Sequence, residues 1–324
     1  MIPAVLARRL LLLLPLFLIA GCGGHDKSSS TAQVAQQRSA GSILAGSDEV
    51  PGAAPAPDLV PLPATAFRRP VARYRVYVGG RLRLMAGDVE RLRAALAAGD
   101  RPAARAAWRS AYSHYLEVGA AYGAFGSLDQ DIDGTPAGLR GGVRNRHFAG
   151  LHRIERGLWT GQPLAGLVGW ANRLAADVKR LERLVPRITI SPLDYATRAH
   201  EILEDAQIEQ LTGESVPWSG EGVRGTAAAL SGTAKVIGTL SPLLAGRGGA
   251  LEPVEFGEAR LRRALDQIRR AHGGQWPTLA QLRPRERELL DGDLGGLLEE
   301  LSSVPGALET TQLQPTKAIP GSTK

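Results

Sequence analysis

One apolar stripe constrains this 324-residue chain most. Tyr74, Val78, Leu82, Met85, Val89, Leu92 and Leu96 recur at steps of three and four. Only an α-helix puts residues at that spacing on one face. Gly79-Gly80 and the alternation around Tyr74–Val76 argue for something else, but the stripe is too long for a strand. Gly99 stops the helix and Asp100 caps the next one. Ala and Leu dominate from residue 66 onward, and further helices are expected at about 101–121, 146–158, 163–184, 192–212, 223–240, 252–272 and 293–304. Gly- and Pro-bearing loops are read at 123–145, 213–222, 241–250 and 273–285. Long Val/Ile/Thr alternation is missing, so the expected fold is an all-α bundle, with two bundles end to end as one arrangement.

The start of the chain has a different character. Arg8 and Arg9 precede an apolar run from Leu10 to Ile19, followed by Ala20-Gly21-Cys22. A basic region, a short apolar region and a small-residue junction describe a secretory signal over residues 1–21. Ten apolar residues are too few to cross a bilayer, which takes about 20. No later segment is expected to be long and apolar enough to cross either. Leu18-Ile19-Ala20-Gly21-Cys22 resembles a bacterial lipobox, in which the Cys is acylated. Cys22 is the chain's one Cys, so an internal disulfide is impossible. Residues 22–65 are rich in Gly, Ser, Ala and Pro and read as a flexible tether. Residues 66–310 form the domain and 311–324 a disordered tail. The expected location is the extracytoplasmic face of a cell membrane, with the membrane as partner through the lipid anchor.

Charge excludes one class of function. The formal net charge is +7, carried mostly by scattered Arg. No dense basic block with interleaved aromatics occurs, so nucleic acid is not an expected partner. Attraction to anionic lipid head groups would also account for the excess.

The chemistry points to a metal ion. Three of six His have a Glu at helical spacing: His114 with Glu117, His152 with Glu155, and His200 with Glu204. Such pairs can project inward from separate helices and meet at one ion, as in ferritin-like sites. Imidazole plus carboxylate suits iron, manganese or zinc. His152 has the best context, because Phe148, Leu151, Glu155 and Leu158 fall near its face, and a polar pair among apolar neighbours needs a partner. Asp129-Gln-Asp131-Ile-Asp133-Gly134 opens like a calcium loop, but Arg140 stands where the bidentate acid belongs. Asp129 could instead swing toward the metal. His200-Glu201 begins a zinc-protease signature, but Glu204 replaces its second His. The stretch 213–222 reads as a helix connection in which Trp218 packs.

Three stretches carry a family resemblance: Gly150-Leu-His152-Arg-Ile-Glu155-Arg-Gly-Leu-Trp159; Val118 to Gly126 through Asp129 and Asp133; and Ala199 to Asp205 through Val216-Pro-Trp-Ser-Gly220. In these, from about residue 70 to 308, the chain resembles the imelysin-like family, and within it the EfeO type of bacterial iron-uptake component. The resemblance implies two four-helix bundles and a role in iron uptake beside a membrane permease and a haem peroxidase. It makes His152 and Glu155 the expected metal pair, with Glu117, His114, Glu204 and Asp129 as further candidates. The expected ion is iron as Fe2+ or Fe3+, with other divalent cations as possible ligands. Two departures stand out: residues 23–65 are too short and polar for the cupredoxin domain of some members, and Leu116 stands where others place a Glu. The rival readings are a metallopeptidase, with Glu155 as general base on a metal-bound water, and a structural envelope lipoprotein.

Overall fold

The stripe from Tyr74 to Leu96 is buried along its whole length, and it forms the inner face of the first and longest helix in a computed structural model of the chain. That structure describes residues 59–310; the signal, Cys22, most of the tether and the 311–324 tail lie outside them. Helix α1 runs Arg68–Ala98 and ends at Gly99, whose φ of 76° is left-handed. Asp100 then caps α2, Arg101–Leu116, by accepting from the Ala103 amide at 2.9 Å. After α2 come α3 Ser127–Asp133, α4 Gly150–Trp159, α5 Val168–Leu184 and α6 Pro192–Asp205. The chain closes with α7 Gly222–Leu244, α8 Leu251–Ala271, α9 Pro284–Leu301 and the single turn α10 Val304–Ala307.

The helices pack as two four-membered rings. In the first, α1 lies between α2 and α5, and α4 closes the circuit from α2 to α5. In the second, α6, α7, α8 and α9 each touch the next, and α9 returns to α6. Helix α7 also packs on α1 and α2, joining the rings. The all-α expectation holds, and no strand forms among the described residues; an isolated bridge pairs Leu62 with Thr310. Leu62 also donates to the Glu309 carbonyl at 2.8 Å, so the fold takes in residues assigned above to the tether.

Several boundaries differ from expectation. Residues 123–145 are no plain loop: they contain α3, too short at seven residues to show a period. Helix α4 begins at Gly150 rather than 146, and α2 ends at 116 rather than 121. Helix α9 begins at Pro284, nine residues early, because Pro at the first position and Glu286 accepting from the Arg283 amide make a start signal. Helix α7 is long and apolar enough, by length and composition, to cross a membrane, which corrects the expectation for the later chain. Here it is the central helix of the fold, and Gly232 lets it approach the Glu117 carbonyl, 2.8 Å from where a Cβ would stand.

Candidate metal centre

Helix α4 is fixed at both ends before its polar pair is considered. Gly150 opens it with φ of 70°, where a Cβ would sit 2.2 Å from the Ile132 carbonyl oxygen. Only glycine allows that approach, and it brings the start of α4 against the end of α3. At the other end, Arg101 and Arg105 of α2 each donate to the Leu158 carbonyl at 2.9 Å, so cations cover the negative pole of α4. Between them, Trp108 donates to the Leu151 carbonyl at 2.8 Å.

This frame buries His152 and Glu155 completely. One oxygen of Glu155 lies 3.1 Å from His152 Nδ1; the other accepts from the Ser219 amide at 2.8 Å. Both carboxylate oxygens are therefore engaged, and Glu155 holds the imidazole in orientation. Tyr112 meets the ring edge-on, with centroids 5.4 Å apart. The 213–222 connection supplies Ser219, and its Trp218 ring packs against Phe148 at 6.1 Å. That connection is thus the lid over Glu155.

The other ring nitrogen, Nε2, faces Asp133 Oδ1 at 3.1 Å. Asp133 is the last residue of α3, where the helix dipole disfavours a carboxylate. Its Oδ1 is buried and receives no hydrogen bond: the contact with Nε2 is close but misdirected. Burial alone would lower the His152 pKa, but the Asp133 and Glu155 carboxylates outweigh it and hold the imidazole up at about 10.

More acids gather beside Asp133. Asp129 lies one helical turn before it and accepts from the Tyr115 hydroxyl. Asp131 points elsewhere, to Arg173 at 2.7 Å. Helix spacing thus splits the Asp-x-Asp-x-Asp run between two faces, and no calcium-loop geometry forms. Across from α3, Asp205 ends α6 and Glu209 sits in a π-helical turn, Ala206–Gln210. A cavity of about 380 Å³ is lined by Tyr122, Asp129, Asp133, Arg198, Asp205 and Glu209. A smaller one of about 60 Å³ shares Tyr122, Asp133, Asp205 and Glu209. Burial, with Asp205 and Asp133 adding repulsion, pushes the Glu209 carboxyl up to about 7. Asp129 rises to about 6, through burial and the Asp133 charge against the Tyr115 hydrogen bond. Asp205 is raised as well, by burial first, with Arg198 opposing.

Among the described residues, no three His, Cys, Asp or Glu side chains stand close enough together to hold a metal ion as they are placed. The arrangement is instead four carboxylates around one cavity, Asp129, Asp133, Asp205 and Glu209, with the His152 imidazole buried behind Asp133. Such a donor set suits a hard or borderline cation. Two donors 3.1 Å apart also match adjacent corners of an octahedron with bonds of about 2.1 Å.

The remaining expected residues lie in other networks. His114 and Glu117 face α1: Glu117 pairs with Arg81 at 3.0 Å and with His114 at 3.1 Å. His114 Nε2 lies 3.5 Å from the buried Asp88, which also holds Arg91 and Ser110. Glu204 is half exposed and lies 3.6 Å from His200 as a solvated pair. The sequence reading left Asp133, Asp205 and Glu209 out of its ligand list. The signal for them was the spacing of four in Asp129/Asp133 and in Asp205/Glu209.

The family model described as Peptidase M75, imelysin, matches residues 70–214, which hold every residue of this centre except Ser219 and Trp218. The chain is 25% identical over 240 residues to iron uptake system component EfeM of Pseudomonas syringae pv. syringae (strain B728a), covering 74% of this chain and 84% of that protein. It is 24% identical over 246 residues to iron uptake system component EfeO of Yersinia pestis, covering 76% of this chain and 65% of that protein. Against EfeO of Escherichia coli (strain K12) the figures are 23% over 239 residues, 74% and 63%. The chain thus spans under two thirds of the length of these EfeO relatives.

Proposed function

We propose, from the premise that this chain is an imelysin-like protein of the EfeO type, that it captures extracytoplasmic iron and hands it to a membrane permease. The observation carrying this reading is the undonated Asp133 Oδ1 beside His152 Nε2, at the edge of a cavity rimmed by Asp129, Asp205 and Glu209. Iron is the cargo. His152 Nε2 and Asp133 bind it directly, with Asp129, Asp205 and Glu209 available to complete the shell. Glu155 orients the imidazole from behind instead of ligating. Entry of the cation displaces the proton on Nε2 and relieves repulsion among the carboxylates. Oxygen donors with one imidazole accept Fe2+ and Fe3+, and also other divalent cations.

The same geometry disfavours Glu155 as the general base of a hydrolase. A metallopeptidase needs a carboxylate free to take a proton from bound water. Both Glu155 oxygens are committed, to Ser219 and to His152. The lipid anchor at Cys22, the extracytoplasmic location and the partners, a permease and a haem peroxidase, follow from the signal-like sequence and the EfeO-type resemblance and are part of the proposal.

Calorimetric titration of the purified chain with Fe2+ under anaerobic conditions, and with a soluble Fe3+ chelate, tests the reading. Saturable binding that is lost in His152→Ala is expected. If His152→Ala binds iron as tightly as wild type, the site is elsewhere. Absence of saturable binding would support the structural-lipoprotein reading.

A further inference from the structure

The first half of α1 is one of the basic segments of the described domain. Residues 59–310 hold 33 Lys and Arg against 28 Asp and Glu, a surplus of five. Arg68 to Gly87 on α1 holds six Arg and no acid, so the rest of the domain comes out at one net negative charge. Four of the six, Arg68, Arg69, Arg73 and Arg83, are exposed on the solvent side of α1.

Arg69, Arg73, Val76, Gly80, Arg83, Leu84, Gly87 and Arg91 follow at steps of three, four and one, within an arc of about 100°. From Arg69 to Arg91 this stripe is about 33 Å long. Val76 is 74% exposed and Leu84 51%, two aliphatic side chains set among the guanidiniums. Arg91 pairs with Asp88, whereas Arg69, Arg73 and Arg83 make no ion pair among the described residues. Arg68 flanks the stripe, and Arg75 is turned away to the Pro186 and Ile188 carbonyls. On the neighbouring α5, the one acid near this edge, Glu182, lies within electrostatic reach of Arg83, Lys179 and Arg183. Basic residues in the first turns of a helix also oppose its dipole, which a core-packing role would not require.

We infer that this face of α1 docks on an anionic phospholipid surface. A line of unpaired Arg with isolated aliphatic side chains suits a bilayer interface: the charges meet phosphate groups, and Val76 and Leu84 enter the head-group layer. The stripe has no exposed aromatic for a base to stack on; Tyr77, beside it, is half buried under Arg81 and Lys235. It also lies near the N-terminal end of the described residues, which begin at Leu59. Docking there would lay the domain along the membrane. The inference is independent of the iron reading, because it uses none of those residues.

The test is vesicle flotation of the full chain carrying Cys22→Ser, so that no acyl chain contributes, without metal. Vesicles of phosphatidylcholine alone are compared with vesicles containing about one third phosphatidylglycerol. The chain should prefer the anionic vesicles, and half-molar salt should abolish the preference. Arg69→Gln/Arg73→Gln/Arg83→Gln should cut partitioning onto anionic vesicles on the order of a hundredfold, with helical circular dichroism unchanged. Val76→Ser/Leu84→Ser, which keeps every charge, should cut it several-fold. Equal partitioning of wild type onto both vesicle types overturns the inference, as does a triple variant that floats like wild type. Retention on polyglutamate without flotation overturns it too, and would assign the face to an acidic protein.

Discussion

Nε2 of His152 stands 3.1 Å from Oδ1 of Asp133, yet that oxygen is buried and accepts no hydrogen bond. A buried carboxylate oxygen without a donor is costly, on the order of 1–3 kcal/mol or more. The charged imidazole already offsets part of that cost, and a metal ion shared by the two side chains would take over that role through direct bonds. Asp133→Asn keeps the shape and removes the charge. It should weaken iron binding by at least about a hundredfold in a calorimetric titration, because a charged ligand is lost. Unchanged affinity would rule Asp133 out as a ligand.

The raised carboxyl groups fix the pH dependence. Asp129 near 6 and Glu209 near 7 both lie above their unfolded values, so the folded, iron-free chain binds protons more tightly than the unfolded one. The contribution of these two groups therefore stabilises the iron-free chain as pH falls from about 7.5 toward 5. Iron binding runs the other way: it weakens over the same window as the carboxyls are protonated. Glu209→Gln should flatten both slopes. Tm and iron affinity measured from pH 7.5 to 5 decide this, and parallel movement of the two would contradict it.

Glu155→Gln separates orienting from ligating. The amide can still face Ser219, but it loses the charge that helps hold the His152 pKa near 10. Loss of an orienting partner costs about 10- to 100-fold in metal affinity, less than loss of a ligand. The His152 pKa, read by NMR in the iron-free chain, should drop. An affinity loss as large as that of His152→Ala would make Glu155 a ligand after all.

His114 supplies the matching control. Its partners are Glu117 and Asp88, in the interface of α1 with α2. His114→Ala should leave iron affinity within about twofold and lower stability by about 1 kcal/mol, because the buried Asp88 loses one neighbour. Denaturant unfolding and titration of the same preparation measure both. A large loss of affinity at unchanged stability would place His114 in the metal site.

How far the sequence foretold this centre depended on segment length. The α1 stripe spans more than six turns, and every member is buried. The motif around His152 was legible because apolar neighbours at helical spacing imply burial. Helix α3 was not, since seven residues make only two turns, and its acids looked like a cation loop instead of two faces of a helix. Asp205 and Glu209 carried the spacing of four, but that spacing does not say which element their face meets, and here it meets the cavity beside α3. His114 and Glu117 passed the same spacing test as His152 and Glu155. Which partner a face meets is a tertiary fact, and their face meets Arg81 and Asp88.

Gly150 ties the fold to the site most directly. Its φ of 70° is strained for any residue with a Cβ, and a Cβ there would also press on the Ile132 and Asp131 carbonyl oxygens at 2.2 and 2.6 Å. Gly150→Ala must therefore either distort the start of α4 or push α3 away from it. Left-handed backbone alone costs a non-glycine residue about 1–3 kcal/mol, and the clash adds to that. Because α4 carries His152 and α3 ends in Asp133, the same displacement separates the two donors. Gly150→Ala should thus lose both stability, by at least about 1 kcal/mol, and most of its iron affinity, while helical circular dichroism below the transition stays close to wild type. A variant that loses stability but binds iron normally would show that the contact between the two helices does not set the spacing of His152 and Asp133.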